Sequence, residues 1–348
     1  MFRSAGFVCL LFAVVANAAE VPEAPVMPRA VSTVSVDCNN GESIQAAVDA
    51  NPSPIEIQIS GICTENVLIR DKDVMLRGTT KPALDGIRSA IRATPALTIR
   101  GPVIGVVENL SFSKSAGSGV AVRGANVAFT NCLFQNNGTN GLVVNLGGLV
   151  TANGLTFDAN AARAINVSDA QFFCTGCDVS GNNALIATRG AIVSLLDSVV
   201  TGGNGIFAAD GGTFADLDCV TVNSSHPCLM DVTGFAVRAA DDGAGALIAT
   251  GDFRGQVLAD NSGAALLVGA RQLATNATGD ANFADFFGRI VVSAFDGTPA
   301  MQSRLRSTTG EHFAQILVTD QTILDGTVMV STSAMQQIDP TVIILPPR

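Results

Sequence analysis

Asn126–Phe134 reads NVAFTNCLF, and the same cadence returns in LVTANGLTF (Leu149–Phe157), FFCTGCDV (Phe172–Val179), IVSLLDSVV (Ile192–Val200) and TFADLDCV (Thr213–Val220). The repeat runs from Val106 to about Val222. Laid one above another, these segments place Asn109, Asn131, Asn153, Gly176, Asp197 and Asp218 in one column. A second column holds Gly119, Gly141, Ala164, Ala184 and Gly205. A third holds Arg77, Arg100, Arg123, Leu146, Asp169, Arg189 and Asp210. A period near 22 residues belongs to leucine-rich repeats or to β-solenoids. The runs between the columns decide. They are three to five apolar residues bounded by Gly, Asn and Asp, too short for a helix. No fixed leucine scaffold and no longer helical segment accompanies them. The expectation is three short strands per coil, with coils stacked at about 4.8 Å. Like residues then lie over like, because one coil cannot bury its inner face alone. The Asn/Gly/Asp column belongs at a corner, where short polar side chains satisfy turn backbone and tolerate left-handed φ.

Such a polar corner column resembles the asparagine ladder of the right-handed parallel β-helix proteins, the pectate-lyase-like superfamily. The resemblance covers roughly residues 38–270. It implies an all-β parallel solenoid with a short N-terminal capping helix and an irregular C-terminal cap. The run from VDCNNGESIQAAV through SGICTENVLI to DVMLRG is also similar to the opening of pectin methylesterases. There Gly61-Ile62-Cys63-Thr64-Glu65-Asn66-Val67 stands for a G-x-Y-x-E-x-V run, with Cys63 in place of Tyr. The catalytic segments of that family are absent: the Gln-rich pair, the Asp within Asp-Phe-Ile-Phe-Gly, and the Arg-Pro-Trp. The polygalacturonase signatures are missing as a set too. The resemblance therefore implies a fold and carries over no catalytic residue.

The N-terminus reads as a secretory signal peptide over 1–18, with Arg3, an apolar run from Phe7 to Val15 and Ala16-Asn17-Ala18 at the cleavage site. The expected address is secreted or periplasmic. Residues 19–37 form a lead-in, Pro-rich at its start, and 38–348 a single β-helix domain. Within it 38–54 cap the N-terminal end, with an amphipathic helix over Ser43–Ala50. Coils fill 55–269, with an irregular loop at Asn223–Gly234. Residues 270–348 lose the period and are expected to seal the far end.

The chain carries a formal charge of −10 over 348 residues, with 14% charged residues and 35 glycines. An acidic chain does not suit nucleic acid. No apolar stretch after the signal is long enough to span a membrane, and a monomer is expected. Trp and Tyr are both absent, which removes the rings on which sugars usually stack. Phe112, Phe129 and Phe134 fall on inward positions. Export permits disulfides. Cys38 with Cys63, Cys174 with Cys177, and Cys219 with Cys228 are the expected pairs, leaving Cys132 a buried thiol. A zinc site would need further ligands, and only His226 and His312 supply imidazoles.

Three constellations could carry chemistry. Arg77, Arg100 and Arg123, one per coil, would form a row of guanidiniums able to grip the carboxylates of a uronic-acid polymer. The bland reading is a solvated turn. Asp197, Asp216 and Asp218 could hold Ca²⁺ or supply a general acid and base. The bland reading makes Asp197 and Asp218 corner residues. His226 lies in the irregular loop beside Cys228, with no nucleophile or partner acid evident. The functional expectation is a secreted β-helix protein that binds or processes an acidic polysaccharide, as a polysaccharide lyase or relative if it is an enzyme. The alternative is a non-catalytic structural, surface or adhesion solenoid.

Overall fold

A computed structural model describes residues 22–25 and 32–268, apart from 92, 212, 219–228, 242, 250–251 and 261, and the backbone of short strands between 271 and 345. It is a parallel β-solenoid. One sheet runs its whole length, from Ser32–Asp37 and Ile55–Ser60 through Asn126–Thr130 and Phe214–Asp218 to Val342–Leu345. A second column stacks Ile62–Thr64, Gly86–Arg88, Ser111–Ser113, Leu133–Gln135 and Thr156–Asp158. A third stacks Val67–Arg70, Leu97–Arg100, Val120–Arg123, Asn140–Asn145 and Arg163–Ser168. The expected three strands per coil hold to this point. The second and third columns then fuse into the continuous strands Asp178–Thr188, Val199–Ala209 and Leu229–Ala240. The earlier corner needs a left-handed residue, at Lys114, Asn136 and Ala159. Gly181 and Gly202 stand at the equivalent place with φ 154° and 119°, so the strand bends there without breaking.

The inner faces alternate as strands must. Ile55, Ile57 and Ile59 point inward, and so do Phe112, Phe134 and Phe157. The last three stack ring on ring, with centroids 5.3 and 4.7 Å apart. The Gly/Ala column lies as expected: Val120, Leu142, Ile165, Leu185 and Ile206 are register partners, and Gly119, Gly141, Ala164, Ala184 and Gly205 precede them. A Cβ on Gly141 would fall 2.7 Å from the carbonyl of Ala164, so the spacing of coils demands the small residue.

Helix α1 (Ile44–Ala50) buries Ile44, Ala47 and Val48 against the first coils. Glu65, the acid of the Gly61–Val67 run, takes hydrogen bonds from Ser43 Oγ (2.8 Å) and from the amides of Ile44 (2.7 Å) and Gln45 (3.1 Å). At the other end Lys72 Nζ donates to the carbonyls of Val48 and Asn51. A carboxylate at the helix start and an ammonium at its end both suit the helix dipole. Cys38–Cys63 is bonded beside this cap, and Cys174–Cys177 across a later corner. Cys132 is a buried thiol, its pKa pushed up to about 12 by burial. Cys219 and Cys228 lie outside the described residues, as do His226 and the segment read as a signal peptide.

Three expectations need correcting. The first rung begins at Ser32, inside the segment read as lead-in, and pairs with Ile55–Ser60. Within the stretch expected to seal the far end, Arg289–Ser293, Gln315–Thr319 and Val342–Leu345 add further rungs to the long sheet. The step lengthens to 25 residues from Ala264 to Arg289 and 26 from Arg289 to Gln315, which hides the period. The outer corner column is also one residue out of line in places. Asn109 and Asn131 are left-handed, and Asn131 Nδ2 donates to Asn109 Oδ1 at 2.7 Å. The next corner residue is Gly154, not Asn153, which pairs with Thr130 inside the strand. Glycine takes left-handed φ at no steric cost, so in an Asn-Gly pair it wins the corner.

The sequence reading missed a second, interior ladder. Ser115, Asn137 and Asn160 are buried at the junction of the second and third columns. Asn137 Nδ2 donates to the carbonyl of Phe112 (3.1 Å) and to Asn160 Oδ1 (2.9 Å), and Asn160 Nδ2 donates to the carbonyl of Phe134 (3.0 Å). These amides satisfy turn backbone that the core would otherwise strand.

Candidate functional site

The third column ends each early strand in arginine. Val67–Arg70, Leu97–Arg100 and Val120–Arg123 read VLIR, LTIR and VAVR. In each, the first and third residues point into the core and the fourth points outward, exposed. Arg70, Arg100 and Arg123 are register partners on successive rungs. The row therefore contains Arg100 and Arg123 as expected, but Arg70 in place of Arg77. The coil from Val67 to Leu97 is 30 residues long, so counting back 23 from Arg100 stops seven residues short of Arg70 and lands on another sheet. Matching the tetrapeptides, instead of counting, would have found Arg70.

Arg77 lies on the outer face of the long sheet, between Gln58 and Glu108. Its Nε donates to Glu108 Oε2 at 2.8 Å, and its Nη1 to Glu56 Oε1 at 3.3 Å. It is a clamped surface cation. Arg70, Arg100 and Arg123 have no carboxylate partner among the described residues. Their surroundings are basic as well. Residues 66–125 carry nine Lys and Arg against four Asp and Glu, in a chain that is strongly acidic elsewhere. Three of those four acids are committed. Asp85 accepts from the amides of Gly61 and Thr80, Asp73 from the amide of Ile104, and Glu108 from Arg77. Beyond Arg123 the same outward position holds Asn145, Ser168 and Thr188.

The aspartates separate into different roles. Asp216 and Asp218 share the outward face of Phe214–Asp218, but Asp218 pairs with Leu196, one residue before Asp197. Asp197 is the left-handed corner residue, φ 47°. The expected stacking of Asp197 under Asp218 is absent, for the same one-residue reason as at Asn153. Among the described residues no group of three His, Cys, Asp or Glu side chains is arranged to hold a metal ion.

Asp216 is nonetheless unusual. It is only 7% exposed on an outer face, and its Oδ1 has no hydrogen-bond partner. Burial pushes its pKa up to about 7; the charge of Asp218 adds to this and a hydrogen bond from Ser194 opposes it. A carboxyl that keeps its proton near neutrality can act as a general acid. It stands several rungs along the axis from Arg123 and on a different sheet, so arginines and aspartates do not meet in one cleft.

A family model described as a right-handed β-helix region matches residues 55–253. The chain belongs to the right-handed β-helix family. Several solved β-helix structures are similar to it. Pectate lyase Pel9A is 12% identical, with 88% of this chain and 79% of that chain covered, at a TM-score of 0.50. The catalytic unit of an α-1,3-glucanase from Streptomyces thermodiastaticus is 14% identical over 90% of this chain and 71% of that one, at 0.34. Pectin methylesterase from carrot is 13% identical over 90% and 85%, at 0.32. At these identities the likeness is one of fold. No curated protein matches the chain.

Proposed function

We propose that this is an exported β-helix protein that binds an acidic polysaccharide along the outer face of its early coils. The observation that carries the reading is the row Arg70, Arg100 and Arg123: three exposed guanidiniums on adjacent rungs with no carboxylate partner among the described residues. Like charges at rung spacing repel, and an anionic chain laid along them relieves that repulsion. Guanidinium forks match carboxylates in shape. Export is supported by the signal-like N-terminus and by Cys38–Cys63 and Cys174–Cys177, since disulfides persist in oxidising compartments. Pectate lyase Pel9A shares the fold and lends it a carbohydrate context.

The test is retention on immobilised pectate and alginate at low salt, comparing the native protein with the Arg100→Gln/Arg123→Gln double variant. Retention that salt abolishes and the double variant loses supports the reading; equal elution of both proteins overturns it. Following unsaturated product by ultraviolet absorbance in the same samples reports whether binding is accompanied by cleavage.

A further inference from the structure

The three columns are not sealed alike at the first rung. There α1 takes the place of the second and third columns: Glu65 fixes the helix start, and Gln45 Oε1 accepts from the amide of Leu68. The long sheet continues past this seal to Ser32–Asp37, which pairs only with Ile55–Ser60 among the described residues. Its opposite side is an open edge, and the backbone groups on that edge can be named. Alternate residues of a strand turn N–H and C=O to the same neighbour. The amide of Ile55 donates away from Ser32–Asp37, to the carbonyl of Asp73, and Asp37 exchanges bonds with Glu42. Ser32, Val34 and Val36 therefore serve the ladder, and Thr33 and Ser35 point off the end. Both are exposed. The strand reads STVSVD and pairs without a register shift. It has no Pro, Lys, Arg or bulge, the devices that keep sheet edges apart. Glu42 covers its last residue alone.

The far edge of the same sheet is its complement. Val342–Leu345 is the last strand and pairs only with Gln315–Thr319 among the described residues. All pairings along this sheet are parallel and none shifts register, so Val342 and Ile344 stand in line with Ser32 and Val34. By the same alternation, the groups facing off this end are those of Val342 and Ile344. We propose that the Val342–Leu345 edge of one copy docks on the Ser32–Asp37 edge of a second copy, so that the long sheet runs on from molecule to molecule in place of the expected monomer. A second copy suits the edge because it presents a strand of matching direction and hydrogen-bonding parity. In the internal register the Ser35 amide donates to the carbonyl of Ile344, the Ile344 amide to that of Thr33, and the Thr33 amide to that of Val342. This repeats the pattern of the internal rungs, as between Ile55 and Asp73. Unlike ends do not close on each other, so copies add in line into filaments. With α1 sealing the other two columns, one strand edge is shared, and the contact is weak and reversible.

Sedimentation velocity of the whole protein over a concentration series tests this. The mean mass should rise with concentration and pass beyond two copies. Ser35→Pro removes an edge donor and leaves the ladder to Ile55–Ser60 intact. It should raise the dissociation constant about tenfold, the scale of one hydrogen bond left unmade. Ile344→Pro should do the same from the other edge. Ser35→Lys, which asks nothing of the backbone, should weaken assembly too, and it keeps the test valid if either proline lowers the melting temperature. A mixture of Ser35→Pro and Ile344→Pro chains retains one native contact, the Val342–Leu345 edge of the first on the Ser32–Asp37 edge of the second. Growth in that mixture should stop at dimers where the native protein grows further. A native protein that stays monomeric, assembly that stops at two copies, or assembly unchanged by Ser35→Pro and Ser35→Lys overturns the proposal.

Discussion

The third column is one backbone with two chemistries. Its early strands end in Arg70, Arg100 and Arg123, and its later ones in Asn145, Ser168 and Thr188, at register-equivalent positions. At these strand ends the early coils keep charge outside, with no carboxylate partner among the described residues. A later coil keeps a carboxyl, Asp216, nearly shielded from water. The stacking that builds the solenoid depends only on inward residues, so outward residues are free to vary rung by rung. Function in such a fold is therefore a matter of where along the axis a surface column changes character.

The largest expected effect lies in the later coils. The native state holds the Asp216 proton up to about pH 7, against an ordinary 3.8. Below about pH 4 the group is protonated in both folded and unfolded chains, and its contribution is fully present. As pH rises through 7 that contribution is lost, by at most about 4 kcal/mol. Asp216→Asn should flatten the fall in stability between pH 4 and 7 and leave the protein more stable than native at pH 8 in urea titrations. An unchanged pH profile would place Asp216 in water.

Next comes the contrast between the two asparagine ladders. Asn137→Ala strands the Phe112 carbonyl in the core and should cost about 2–3 kcal/mol in chemical unfolding. Asn131→Ala, on the exposed corner, should cost less than about 1 kcal/mol. Equal losses would erase the distinction between interior and surface ladders.

A smaller effect separates the two halves of the outer face. Arg100→Gln or Arg123→Gln should each weaken polyuronate binding about fivefold, with melting temperature unchanged or slightly raised at low salt. Asn145→Ala and Thr188→Ala should change binding by less than about twofold in the same titrations. A larger loss at Asn145 would move the site along the axis.

What was legible in the sequence followed from the packing of small residues. The Gly119–Gly205 column read true because only Gly or Ala fits where coils pass closely. The pairings of Cys38 with Cys63 and Cys174 with Cys177 followed from position in the coil. Periods misled wherever a turn changed length. The 30-residue coil after Val67 hid Arg70, Asn-Gly at 153–154 shifted the corner by one, and longer steps between paired strands after Ala264 concealed further rungs. The buried Asn137 and Asn160 share an Asn-x-x-x-small pattern, Asn137 to Gly141 and Asn160 to Ala164, that a search restricted to outer corners passes over. Side-chain burial cannot be read from period alone, so nothing in the order of residues told Asp216 from Asp218.

The most direct measurement sets Arg70→Ala beside Arg77→Ala in polyuronate binding at low salt. Both remove one surface arginine from the same basic region, and only position in space distinguishes them. Arg70→Ala should weaken binding about fivefold while Arg77→Ala, which merely releases Glu56 and Glu108, leaves it within about twofold. Equal losses would show that overall charge, and not the stacked row, does the binding.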